Sequence, residues 1–288
     1  MQEKYIHSLS DALDYTRNLN DFCYRGQSNA SWNLVPTIFR RLNGLRKDAY
    51  NLESWYELER NTYRNFADKA RQFRPPGSSI QWNSDWERLC LAQHYGVPTR
   101  LLDWTSNLQV GLFFSVETLS PSDSALWCLD MSGLPLVAYE IVGRREPGKG
   151  YRLRTLPRAD VSFFLEWSKS IVPGSTAAPI QANFFTIIQP AAFDKRIINQ
   201  AGLFSVHVTF RHQTGDLVTD HTSYLLDVEK SIGKDILHKL IIPEKDKKVI
   251  RQDLLRTNVD HTFIFPDLSG LGMLLSDSYA KDLDGVVY

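Results

Sequence analysis

The stretch that decides the architecture is Gln93-His94-Tyr95-Gly96-Val97-Pro98-Thr99-Arg100-Leu101-Leu102-Asp103-Trp104-Thr105-Ser106-Asn107, followed by Leu108–Val116. Gly96 and Pro98 stop one helix, Arg100–Trp104 reads as a short strand-like run, and polar residues then lead into a second helix. A capping box at Ser84-Asp85-Trp86-Glu87 starts the first of those helices, which places Gln93 and His94 in its last turn.

Outward from this stretch, further strand-like runs occur at Phe22–Tyr24, Ala125–Asp130, Leu136–Ile141, Phe184–Ile188, Leu203–Phe210, Ser223–Val228, Leu237–Ile242 and His261–Phe265. Helices are expected at Val161–Ser170, Asp194–Asn199 and Glu244–Arg256. From Asp48 to Phe73 a stripe of Leu52, Trp55, Tyr56, Tyr63, Phe66, Ala70 and Phe73 recurs at helical spacing and ends at Pro75-Pro76-Gly77. Many strands with few long intervening helices imply an α+β fold, a mixed and mainly antiparallel sheet with flanking helices. No linker of biased composition divides the chain, so residues 1–288 are read as one domain with a helical insertion at about 48–74.

Composition bounds the partners. Lysine plus arginine and aspartate plus glutamate each number 33, so no overall field draws the chain to nucleic acid or anionic lipid. Cys23, Cys90 and Cys128 fit neither a disulfide framework nor a CxxC metal site, and read as core thiols in a reducing compartment. No apolar segment approaches membrane-spanning length, and no secretory leader is evident, so a cytoplasmic location is expected. Local charge remains: Arg144, Arg145, Lys149, Arg152, Arg154 and Arg158 stand against one glutamate in the loop Gly143–Arg158, a surface able to meet a nucleic-acid or protein target or simply a solvated loop.

Two segments carry polar residues that a core strand does not need. In Tyr24-Arg25-Gly26-Gln27, an arginine ends an apolar strand, and the glycine after it leaves space for a ligand to approach the backbone. The planar guanidinium suits a phosphate or carboxylate; an internal pair with Glu59 or Asp103 is the competing role. In Gln93–Asn107, Arg100 and Asp103 are three apart and face opposite sides of a strand, so each needs another partner. One of Asp103, Thr105, Ser106 or Asn107 is expected to cap the following helix. Glu59, a carboxylate within the apolar stripe, calls for a cation such as Arg25 or Arg100. Of the seven histidines, His207, His212, His221 and His261 show no HxH or HExxH spacing, no metal site is expected, and His94 is the one candidate for chemistry.

The runs Tyr24-Arg25-Gly26-Gln27, Trp32-Asn33-Leu34-Val35-Pro36 with Arg40, AQHYGVPTRLLDWTSN with its LFF tail, Arg196-Ile197, Gln200-Ala201-Gly202-Leu203-Phe204 and Phe265-Pro266-Asp267-Leu268-Ser269-Gly270-Leu271 resemble the FRG domain family. Tyr24 stands where the family usually has phenylalanine. Members of the family resemble prokaryotic accessory and conflict-system proteins, including antiviral defence. A further similarity, to ADP-ribosyltransferases, implies an NAD-handling effector, toxin or NAD glycohydrolase, with an ADP-ribosyltransferase-like fold and NAD as cofactor. It places Arg25 at the nucleotide, Thr105 and Ser106 on the strand leading into a helix, and Gln200 where such transferases usually have glutamate. On that chemistry Tyr24, Arg25, Gly26, Gln27, Arg100, Trp104, Thr105 and Ser106 would hold the cofactor. Glu59, His94, Asp103 and Gln200 would carry the reaction. The alternative is a non-catalytic module that senses a nucleotide or a phage component through the same residues.

Overall fold

The computed structural model describes residues 1–42, 52–73, 85–134, 183–190, 195–209 and 220–285. Within them seven strands form one sheet: β1 Gln2–Tyr5, β2 Phe22–Gln27, β3 Leu102–Thr105, β4 Ser124–Asp130, β5 Asn183–Ile188, β6 Gly202–Thr209 and β7 Leu237–Ile242. Their order is β1-β7-β4-β2-β3-β6-β5, with β1 parallel to β7 and every other pairing antiparallel. The helices are α1 Leu9–Thr16, α2 Thr37–Leu42, α3 Leu52–Lys69, α4 Asp85–His94, α5 Leu108–Val116, α6 Lys195–Asn199, α7 His221–Ile232, α8 Lys247–Arg256, α9 His261–Ile264 and α10 Leu268–Gly285. This is the expected α+β arrangement with flanking helices.

Alternation along the strands separates two cores. Phe22 and Tyr24 of β2, Leu126 and Cys128 of β4, and Leu240 and Ile242 of β7 pack with α1, α5, α8 and α9. Cys23 of β2, Leu102 and Trp104 of β3, Trp127 and Leu129 of β4, and Phe185 and Ile187 of β5 pack on the other side with Leu34 and with Leu225 and Val228 of α7. Period two in a strand sends neighbours to opposite faces, and β4, buried at all seven positions, is covered on both.

Two local readings change, and one strand is added. Ser223–Val228 lies inside α7, because Asp220 accepts from the Thr222 amide as N-cap, Gly233 at φ +66° closes the helix, and His221, Leu225, Val228 and Glu229 make a buried helical stripe. His261–Phe265 is a single helical turn capped by the Asp260 carboxylate on the Thr262 and Phe263 amides. Gln2–Tyr5, with all four residues exposed, is an edge strand whose polar sequence carries no alternation. Of the Asp48–Phe73 stripe, Leu52–Lys69 forms α3 and Ala70–Phe73 a 3₁₀ turn, and residues 48–51 lie outside the described residues. Leu136–Ile141, Val161–Ser170 and the basic loop Gly143–Arg158 lie outside the described residues. Among those described, no helix is long and apolar enough to cross a membrane.

Candidate functional site

The site begins where β2 and β3 meet. Their register holds one Cα pair, Tyr24↔Thr105, whereas β2 pairs with β4 along its whole length. Next to that single pair the Arg25 guanidinium reaches to β3: Nη1 donates to the Asp103 main-chain oxygen at 2.7 Å and lies 3.6 Å from its carboxylate. Only 13% of the Arg25 side chain is exposed, against 59% for Asp103. Arg25 Nε is buried and has no acceptor among the described residues. Burial first, and then the charge of Arg40 on α2, disfavours the guanidinium cation, an effect opposed by Asp103.

Asp103 is braced from α4. Gln93 Nε2 donates to both carboxylate oxygens at 3.1 Å, and its Oε1 accepts from Thr99 Oγ1 at 2.7 Å. Thr99 Oγ1 in turn accepts from the Leu101 amide. The helix stop at Gly96, with φ +79°, lets the chain turn back so that Gln93 and Thr99 meet. His94 sets its ring edge-on to Tyr95 at 5.1 Å between centroids.

Arg100 finds its partner on α3. Its Nε donates to Glu59 Oε1 at 2.6 Å, and its Nη2 bonds the other carboxylate oxygen, a two-pronged pair in which both side chains are largely covered. Burial, and after it the Arg100 charge, holds His207 of β6 down to about 3. His207 is one of four rings gathered here: its centroid is 4.1 Å from Tyr224 and 5.8 Å from His221, and Phe185 lies edge-on to His221 at 5.4 Å. Trp104 Nε1 donates to Ser205 Oγ at 2.8 Å, and Ser205 Oγ lies 3.2 Å from His221 Nδ1. His221 is 1% exposed, and its Nε2 has no partner among the described residues. Burial, His207 and Arg25 hold this imidazole well below its ordinary value.

Other candidates stand on the opposite face or are spent on structure. Tyr24 lies in the α5-side core, with burial pushing its hydroxyl up to about 12. Gly26 does not open the backbone to a ligand: a Cβ there would collide with the main chain of Gly111, Phe114 and Ser115 of α5, so the glycine serves helix packing. Gln27 is buried, accepting from Trp127 Nε1 at 2.7 Å and donating to the Asn33 carbonyl. Thr105 faces α5 and donates to the Gln200 carbonyl at 2.6 Å. The Gln200 amide donates to the Ile264 carbonyl at 3.1 Å, and Ser106 is exposed, with its amide on the Ala201 carbonyl. Asn107 is the helix cap, accepting from the Gln109 and Val110 amides.

The arrangement therefore joins Arg25, Asp103 and Gln93 in one group. Arg100 with Glu59, and Trp104 with Ser205 and His221, border it through the electrostatic and ring contacts above. Sequence reasoning set aside His207 and His221 and did not reach Ser205. The available signal was Asp220, an N-cap that makes His221 the first residue of a helix, and the alternation Leu203, Ser205, His207 on the face of Trp104. Chemically, the face presents buried N–H donors and cations, an apparatus for binding an oxyanion. No curated protein and no solved structure matches the chain. Residues 20–124, which carry β2, the Gln93–Asn107 stretch and α5, match the family model described as the FRG domain.

Proposed function

We propose that this chain is a nucleotide-binding module that takes the phosphate of its ligand on Arg25. One observation carries the reading: a guanidinium that folding has buried keeps its Nε–H without an acceptor among the described residues, while Nη1 alone serves Asp103. Leaving a buried charged donor unmatched costs about 1–3 kcal/mol, and a ligand oxygen removes that cost. Phosphate suits the guanidinium geometry, and Arg40 adds positive charge from α2. NAD and ADP-ribose are within this ligand class, and the defence context implied by the family resemblance is compatible with a sensor of such a molecule.

Binding is favoured over turnover by the use made of the remaining groups. Glu59 is engaged by Arg100 and the Asp103 carboxylate by Gln93 and Arg25, while Thr105 donates to the Gln200 carbonyl and the Gln200 amide to the Ile264 carbonyl on the far face of the sheet. A group transfer from NAD needs a carboxylate or amide free to orient the nucleophile near the clamp.

Calorimetric titration with AMP, ADP-ribose, NAD and inorganic phosphate tests the reading, with Arg25→Lys as the variant. The lysine keeps the charge and loses the fork, so nucleotide affinity is expected to fall roughly 10-fold or more, with thermal stability of the ligand-free protein followed in parallel. Lost stability with unchanged affinity in the folded fraction assigns Arg25 to structure and ends the proposal. Inorganic phosphate binding as tightly as AMP removes the nucleotide and leaves an anion site. Nicotinamide released from NAD by the wild type replaces the module with an NAD-consuming transferase or glycohydrolase.

A further inference from the structure

We infer that His221, acting as a neutral imidazole, is a second phosphate donor of this site, its Nε2–H fixed in place by a relay from Trp104 through Ser205. The inference rests on the Arg25 reading and adds a residue from α7, outside the span that matches the FRG domain.

The tautomer follows from counting donors and acceptors in a closed space. An indole N–H can only donate, so the 2.8 Å bond from Trp104 occupies Ser205 Oγ as an acceptor. The serine is fully buried, and its own proton has the Nδ1 lone pair of His221 at 3.2 Å. With the ring proton on Nε2, the indole, both roles of the hydroxyl and Nδ1 are all matched, and Nε2–H alone is left over. With the proton on Nδ1, that N–H points at the serine, the hydroxyl proton loses its acceptor, and the Nε2 lone pair is also stranded. Unmatched buried polar groups are rare, so the first arrangement is favoured.

Nε2–H and Arg25 Nε–H are then two buried donors on one face of the sheet without acceptors among the described residues. They act on each other, since the Arg25 charge is among the causes that keep His221 neutral. The groups around the imidazole point the same way: His207 of β6 opposes protonation, while Ser205, Trp104 of β3, Phe185 of β5 and Tyr224 of α7 are uncharged. Two donors of this kind on one face suit two oxygens of a phosphate. A neutral imidazole can hold such an oxygen without becoming an imidazolium.

The test combines a spectroscopic and a binding measurement. In ¹⁵N-histidine-labelled, ligand-free protein, long-range ¹H–¹⁵N correlation should show His221 with a bare Nδ1 and a protonated Nε2. The Nε2–H signal should shift on addition of AMP. His221→Phe should weaken AMP binding roughly 10-fold or more, whereas His221→Gln, which keeps an N–H donor near the same place, should stay within about 3-fold. ADP-ribose affinity should be flat between about pH 6 and 8, because neither the donor nor the pyrophosphate titrates there, whereas the AMP phosphate ionises at about pH 6. A proton on Nδ1, or His221→Phe binding AMP as the wild type does while Arg25→Lys has lost it, overturns the role of His221 and leaves the Arg25 site standing. Failure of the wild type to bind any nucleotide overturns both. Should His221→Phe not fold, the tautomer and His221→Gln decide.

Discussion

Tyr24 and Arg25 are adjacent in the chain and stand on opposite faces of β2, and the two faces are built on different terms. On the α5 side, Tyr24, Val110, Leu126 and their neighbours form an apolar core, and Gly26 lets the helix backbone lie directly against the strand. On the α7 side, the apolar residues Cys23, Leu102 and Trp127 share the layer with Arg25, Ser205, His207 and His221. Packing density explains the first face completely. It does not explain the second, where cations and unmatched donors have been desolvated at a cost that close packing alone would never select. The comparison teaches that a short signature such as Tyr24-Arg25-Gly26-Gln27 can divide its residues by strand alternation, with apolar packing on one side and buried polar groups on the other.

The comparison breaks most visibly at Gly26. Gly26→Ala places a methyl against the main chain of Gly111, Phe114 and Ser115, and backbone cannot yield as a side chain can. Overpacking of this kind is expected to cost about 3 kcal/mol, read as a lowered denaturant midpoint. If the alanine variant instead keeps its stability and loses only nucleotide binding, Gly26 belongs to the ligand and the division by face is wrong.

The second test sharpens the other face through pH. His207 is neutral in the folded protein down to about 3, against an ordinary value of 6.5, because burial and the Arg100 charge oppose its protonation. Between those values the unfolded chain takes up a proton that the folded chain refuses. The stabilising effect is therefore fully present above pH 6.5 and lost as pH falls through that window. For one such group the slope is about 1.4 kcal/mol per pH unit. His207→Gln should remove one proton's worth of slope from chemical unfolding measured at pH 4.5, 5.5 and 6.5. An unchanged slope would place His207 in a solvated setting and dissolve the ring cluster beside the site.

Sequence was informative where periodicity or capping chemistry is local. The α+β class, the helix stop at Gly96, a cap among Asp103, Thr105, Ser106 and Asn107, and the strand Leu237–Ile242 all follow from nearest-neighbour physics. Arg25 was also legible, since a cation ending an apolar strand needs an explanation whatever the fold. Its environment was not. His207 and His221 become neighbours only because α7 folds back onto β6, and no spacing in the chain encodes that approach. The same limit misassigned Gly26: a missing Cβ is visible in sequence, but whether a ligand or a helix fills the space depends on α5, which returns from about 85 residues downstream. Ser223–Val228 was misread for a different reason, because its apolar residues alternate well enough over a short window to hide the helical stripe that His221 and Glu229 complete.

The finest test concerns Gln200, where a catalytic role and the geometry make opposite demands. Placed as a catalytic amide, Gln200 must address a ligand held by Arg25. In the fold its Nε2 donates to the Ile264 carbonyl, and its own carbonyl accepts from Thr105, on the side of the sheet that α5 covers. Gln200→Ala then removes one neutral hydrogen bond between the turn before β6 and α9, a loss of about 1 kcal/mol. AMP and ADP-ribose affinity should not change, because no group on the α7 side is touched. Unfolding and titration of the same preparation separate the two cases. A small stability loss with intact binding keeps the faces distinct, whereas intact stability with weakened binding, or with loss of nicotinamide release from NAD, would carry Gln200 into the site and require the strand and its neighbours to rearrange when ligand arrives.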